Sequence, residues 1–221
     1  HEIKGATTSP STTADTKTNY DQYYIGESTL HLYDDMYYAI PRSSDFDFGT
    51  EDFTVDFWFY ETARDSGYPY LFGLGGDADG WVFQHYNGQQ VYFRFGPSGS
   101  GVGDEPVGPN VTLNEWHHFS AVRDGINANT YYDGVMYSGE TDLTGPVNQS
   151  TESRAANSHI SIGWNIPNGA AGTHQYVSGF MDEIRIVKGE AQPPRFYFSA
   201  NNAYGDQDGG VLPHRATSAH R

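Results

Sequence analysis

The stretch from Ser43 to Tyr60, SSDFDFGTEDFTVDFWFY, constrains the fold more than any other part of the chain. A short acidic turn ends at Gly49, and Phe53 to Tyr60 then alternates as a strand. Val55, Phe57 and Phe59 face one way and Asp56, Trp58 and Tyr60 the other, because successive strand side chains point to opposite faces. Apolar or aromatic groups on both faces are what a strand needs where one sheet is covered by another. The expected fold class is therefore all-β, a two-sheet antiparallel sandwich.

Composition agrees. Tyr (17) and Phe (13) are abundant, and 26 Gly with 11 Pro supply frequent turns, a mixture that suits aromatic strands joined by tight connections better than helices. The formal charge of −16 would repel phosphate backbones and no basic cluster offsets it, so nucleic acid is excluded as the expected partner. The absence of cysteine removes disulfides, thiolate metal sites and Cys nucleophiles together. No apolar run approaches membrane-spanning length, so membrane insertion is not expected. A chain opening on His1 instead of Met is read as processed or trimmed.

Along the chain, strands are expected within Thr29–Ile40 and at Phe53–Tyr60, Tyr70–Leu74, Trp81–Tyr86, Val91–Phe95, Trp116–Arg123, Asn129–Asp133, His159–Trp164 and Gly179–Val187. Asn87-Gly88, between two alternating runs, is the sharpest hairpin signal. Residues 96–110, GPSGSGVGDEPVGPN, read as a long loop, and residues 138–158 as polar and irregular. The domain division is a polar lead-in over 1–18, one sandwich over 19–191 and an extended tail over 192–221.

Four ordered motifs carry a family resemblance: the opening stretch, NEWHHFSAVRDG at 114–125, YYDGV at 131–135 and SGFMDEIRIVKGEA at 178–191. Together they resemble laminin-G-like, concanavalin A-like lectin/glucanase jelly-roll domains, of the kind found in marine phage and bacterial surface proteins. The resemblance covers roughly residues 28–191. It implies two antiparallel sheets packed face to face, rim loops that often bind carbohydrate, and a frequent structural calcium. A fold of this kind hosts many functions and assigns none by itself.

The candidate site residues follow. If Phe180, Asp182, Ile184 and Ile186 share one strand face, the Asp182 carboxylate stands among apolar groups and must be paired, hydrogen-bonded or metal-bound. The resemblance makes Asp182 the candidate calcium ligand, and the alternative is a cap on nearby backbone N–H groups or a pair with an Arg. Asp77-Ala78-Asp79-Gly80 is a weaker cation candidate that reads more simply as a turn. Trp58, Tyr60, Trp81, Tyr86, Tyr92 and Trp164 are the candidate sugar-stacking aromatics, set against the plainer reading of core and cross-strand pairs. Related hydrolases carry E-x-D-x-E on one strand face. That spacing is missing here, and a retaining pair needs carboxylates about 5–5.5 Å apart. His117 and His118 are adjacent, face opposite ways on a strand and cannot share a metal. Asn110-Val111-Thr112 and Asn148-Gln149-Ser150 are glycosylation triplets, relevant if the source glycosylates secreted proteins.

The functional expectation is a non-enzymatic, extracellular or virion-surface structural or adhesion module with carbohydrate-binding capacity. A glycoside-active enzyme or its accessory carbohydrate-binding module is the alternative. A further alternative is a decoration or assembly subunit binding no glycan, whose terminal arms pair with neighbouring subunits.

Overall fold

Phe53, Val55, Phe57 and Phe59 turn inward along one twelve-residue strand, while Thr54, Asp56, Trp58 and Tyr60 turn outward, and the two layers are organised around that strand. The computed structural model describes residues 7–8, 29–33, 37–74, 79–97, 103–143, 145–147, 159–163 and 175–192. Within them the strands are β1 (Thr7–Thr8), β2 (Leu30–Leu32), β3 (Tyr38–Pro41), β4 (Phe53–Arg64), β5 (Tyr70–Leu74), β6 (Asp79–Tyr86) and β7 (Gln90–Pro97). They continue as β8 (Gly103–Asn110), β9 (Trp116–Asp124), β10 (Asn127–Tyr132), β11 (Val135–Asp142), β12 (His159–Ile162) and β13 (Val177–Lys188), and a single 3-10 turn covers Ser44–Phe46.

A seven-stranded sheet runs β1-β3-β12-β5-β6-β7-β8 and a six-stranded sheet β11-β10-β9-β4-β13-β2, all described pairings being antiparallel. The two-sheet antiparallel sandwich expected from the opening stretch is the fold, in the jelly-roll form that the resemblance implies. No helix among the described residues is long and apolar enough to cross a membrane.

Rings from both sheets meet between the layers. Phe57 from β4 lies edge-on to Phe72 (5.8 Å) and Phe83 (5.0 Å) of the facing sheet. Phe48, ahead of β4, stacks on Phe53 at 4.3 Å and on Trp81 at 5.3 Å. Burying each such ring stabilises the fold by roughly 1.5–3 kcal/mol. Interleaved Phe side chains thus do for this chain what Leu does in most cores.

Two expected loops turn out to be strands. Gly103–Asn110 pairs with β7 despite its Gly and Pro content, placing Pro106 opposite Tyr92 and burying Val107. Residues 138–142, expected to be irregular, complete β11 against β10. Both lie at the sheet edges that close one side of the sandwich, where a neighbouring backbone overrides weak local preference. Asn87-Gly88 forms its hairpin as expected, both residues having positive φ (51° and 64°), and Asp133-Gly134 repeats the device at 44° and 81°. Such twin positive angles match the twist of the flanking strands.

Candidate functional site

Along β6 and β7, Trp81, Phe83, His85, Val91, Phe93 and Phe95 point into the core, which leaves Gln84, Tyr86, Tyr92 and Arg94 on the outward face. Tyr86 stands at the end of β6, next to the hairpin turn, and is 47% exposed. Tyr68, from the turn leading into β5, meets it edge-on with ring centroids 5.3 Å apart, and Tyr92 meets it from the other side at 5.3 Å and 46°. The three rings form a corner with Tyr86 at its centre. Tyr68 was not among the candidates read from the sequence; its one signal was a Tyr in the Ser66-Gly67-Tyr68-Pro69 turn beside the hairpin.

An open depression of about 410 Å³ adjoins the corner, lined by Thr62, Arg64, Ser66, Asn87, Gln89 and Leu113 among others. Its walls are the turns after β4, β6 and β8, and they are tied to one another. Gly88 N donates to Gly67 O (2.7 Å), Tyr68 N to Gln175 Oε1 (2.6 Å), Val111 N to Gln89 O (3.1 Å) and Asn114 N to Glu61 O (2.8 Å). These bonds pre-form the depression, and its hydroxyl, amide and backbone groups suit the hydrogen bonding of a polyhydroxy ligand.

Beneath the depression lies a buried ionic cluster. Glu61 is wholly buried, its Oε2 accepting from Arg64 Nη1 at 2.7 Å, and His85 Nε2 lies 3.0 Å from Glu61 Oε1. Arg64 Nη2 also donates to Val111 O (2.8 Å), fastening the turn after β8. Neither Asp56 nor Glu51 joins it: Asp56 points out of the six-stranded sheet, and Glu51 is exposed ahead of β4.

On the far side of the turn after β8, Thr112 Oγ1 lies 2.7 Å from His117 Nε2, and His117 Nδ1 lies 2.9 Å from Asp133 Oδ2. The order hydroxyl, imidazole, carboxylate is that of a nucleophilic triad. However, the Thr112 hydroxyl also donates to Glu115 Oε2 at 2.9 Å, which places negative charge where an oxyanion would have to form. What this chain of bonds does is tie residues 112–115 to the β10–β11 turn, where Asp133 Oδ1 also accepts from His118 N. Tyr132 stacks on His117 at 4.9 Å, and burial, then Asp133 and Glu115, push its hydroxyl pKa upward.

The remaining candidates scatter. Trp81 lies in the core, 1% exposed with Nε1 donating to Phe46 O, and presents no face to a ligand. Trp58 is outward on β4 yet buried, packed on His118 at 5.0 Å, and Tyr60 is half-buried between Trp116 and Phe180. Burial holds the His118 pKa below the usual histidine value, against the opposing pull of Asp56 and Asp133. Asn110 is exposed at the end of β8, while Asn148 and Trp164 lie outside the described residues. So do Asp77 and Ala78, whereas Asp79 and Gly80 open β6.

Asp182 does not share a face with Ile184 and Ile186. Asp182 sits opposite Trp58 and Arg185 opposite Asp56, so three steps on β13 answer two on β4. The extra residue is a bulge at Glu183 (φ 48°), whose N–H donates to Asp182 Oδ1 at 2.8 Å. The bulge reverses the phase: Phe180, Asp182 and Arg185 point outward, whereas Met181, Ile184 and Ile186 pack on the core. Calcium takes six to eight oxygens, and among the described residues no three His, Asp or Glu groups gather to hold a metal.

The family model described as the concanavalin A-like lectin/glucanases superfamily, of laminin G type, matches residues 32–194. The chain belongs to that superfamily. No curated relative matches the sequence. Among solved structures, the binding domain of Paraclostridial Mosquitocidal Protein 1 superposes with TM-score 0.56 at 16% identity over 75% of this chain and 41% of that one. Domain 4 of AbnA, a GH43 extracellular arabinanase from Geobacillus stearothermophilus solved with arabinotriose, gives 0.54 at 15% identity over 76% of this chain and 79% of that one. The botulinum neurotoxin serotype G binding domain gives 0.51 at 16% over 76% and 41%. This chain thus spans about two fifths of the two toxin chains. At such identities the likeness shows the lectin/glucanase fold alone.

Proposed function

We propose that this superfamily member is a non-enzymatic carbohydrate-binding module, working outside the cell or on a virion surface and engaging glycan at the tyrosine corner. The observation that carries the reading is Tyr86, nearly half exposed and walled by Tyr68 and Tyr92 beside a depression whose lining begins at the next residue, Asn87. A pyranose or furanose ring packs its C–H face on an exposed aromatic, and the rim supplies hydrogen bonds to its hydroxyls. The fold likeness to an extracellular arabinanase domain solved with arabinotriose, and to toxin binding domains, supports a binding role. The test is a glycan array with the intact chain and its Tyr86→Ala variant. Binding that falls at least tenfold in the variant, with thermal stability unchanged, upholds the reading. Glycan cleavage, or binding indifferent to all three tyrosines, overturns it.

A further inference from the structure

The described residues contain six Lys or Arg side chains, and every one is already engaged. Arg42 pairs with Asp47 (2.7 Å), Arg64 with Glu61 (2.7 Å), Arg94 with Asp104 (2.6 Å) and Lys188 with Glu51 (3.4 Å). Arg185 forks onto Asp56. Arg123 spends its guanidinium on four carbonyls, those of Gly125, Gly49, Gly145 and Leu143. Two of these cations belong to the candidate site. Arg94 stands next to the tyrosine corner but is held between Asp104 and Gln84 Oε1. Arg64 lines the depression but is tied to Glu61 and Val111 O.

An anionic glycan would have to compete with Asp104 and Glu61 for these two cations. A sulfate or uronate is recognised by guanidinium or ammonium donors that exchange water for the anion. Redirecting Arg64 would strand the buried Glu61 carboxylate, which is strongly unfavourable. Asp65 adds an exposed carboxylate to the lining, its Oδ2 accepting from Tyr176 N. The chain as a whole carries −16, so a polyanion approaches against a repulsive field. What the site offers instead is an aromatic face, amides at Asn87 and Gln89, hydroxyls at Thr62 and Ser66, and the backbone of the tied turns.

We infer that the ligand of the tyrosine corner is an uncharged glycan, one whose sugars carry hydroxyls and no sulfate, phosphate or carboxylate. This rests on the carbohydrate-binding reading and narrows it. The six remaining cations, Lys4, Lys17, Arg154, Arg195, Arg215 and Arg221, lie outside the described residues.

Native affinity electrophoresis of the full chain separates the outcomes. The gels contain a neutral polymer (mannan, xylan or β-glucan), a polyanion (polygalacturonate or chondroitin sulfate), or chitosan. The expected result is retardation by at least one neutral polymer and by neither polyanion. That retardation is unchanged between about 0.01 M and about 1 M salt, a range over which the screening length shortens roughly tenfold. It falls at least tenfold in both Tyr86→Ala and Tyr68→Ala. Retardation by a polyanion or by chitosan, weakening with salt, overturns the neutral-ligand inference. If Tyr86→Ala abolishes that charged binding, the carbohydrate reading itself survives. Retardation by no polymer overturns both.

Discussion

On the outward face of the seven-stranded sheet Tyr86 is 47% exposed, whereas on the outward face of the six-stranded sheet Trp58 is only 7% exposed. Both come from alternating strands with large rings on the side away from the core. The difference lies in what surrounds them. Tyr86 ends its strand at a two-residue turn and meets the rings of Tyr68 and Tyr92. Trp58 sits mid-strand, beside His118 and among buried Asp56 and Ser120. Thr54, on the same face, bonds the returning backbone at Glu190 and Gln192. One ring stands open to solvent and the other is packed among neighbours on its own face. An aromatic on an outward face is thus a binding candidate only where the neighbouring strand positions leave it open.

The largest expected effect lies on the closed face. Asp56→Ala leaves Arg185 without the carboxylate it forks onto, and breaking a buried pair this way costs about 3–5 kcal/mol. Urea unfolding reads it, and a loss below about 1 kcal/mol would mean that this face is as open as the other. Trp58→Ala is expected to cost about 3–5 kcal/mol with glycan affinity unchanged per folded molecule. Tyr86→Ala should reverse the pattern, losing about tenfold in affinity, or roughly 1.4 kcal/mol, while stability stays within about 0.5 kcal/mol. If the two substitutions behave alike, the contrast between the faces fails.

A smaller effect tests the frame of the corner. Gly88→Ala forces a Cβ into the left-handed region, 3.0 Å from Asp65 O, at a cost of about 1–2 kcal/mol. Affinity should drop with it, because the same turn aims Tyr86; calorimetry with melting curves separates the two.

The smallest effect is a pH dependence of the closed face. Burial lowers the His118 pKa in the folded state, so between that value and the ordinary 6.5 the unfolded chain binds the extra proton. His118 therefore contributes stability that is fully present above pH 6.5 and is lost as the pH falls below it. Less deeply buried His31 acts in the same direction. The comparison of His118→Gln with the parent chain from pH 7.5 to 5 should show a flatter stability profile in the variant. An unchanged slope would remove His118 from the account.

Much of the fold was legible in short-range pattern. Alternation along Phe53–Phe59 set the inner row, and Asn87-Gly88 and Asp133-Gly134 marked their hairpins, because positive φ at two successive residues is a local demand. The strand at Gly103–Asn110 was hidden, since Gly and Pro carry no strand signal and tertiary contacts, pairing with β7 and the bond from Thr130 to Pro106 O among them, hold it extended. The phase of β13 was misread for a related reason. Alternation predicts faces only while the register is unbroken, and one residue at Glu183 exchanges them. At the site, Tyr86 and Tyr92 were among the aromatic candidates, while Tyr68 was missed because it reaches them from another strand connection.

The sequence by itself determined that this chain would be an aromatic, turn-rich, acidic β-sandwich, because side-chain period and turn chemistry are properties of neighbours along the chain. Only the tertiary structure decided which rings stand open, which carboxylate each cation holds, and where Asp182 points. Those depend on groups far apart in sequence, Asp56 and Arg185 or Tyr68 and Tyr86, brought together by the register of pairing rather than by the pattern of either segment alone.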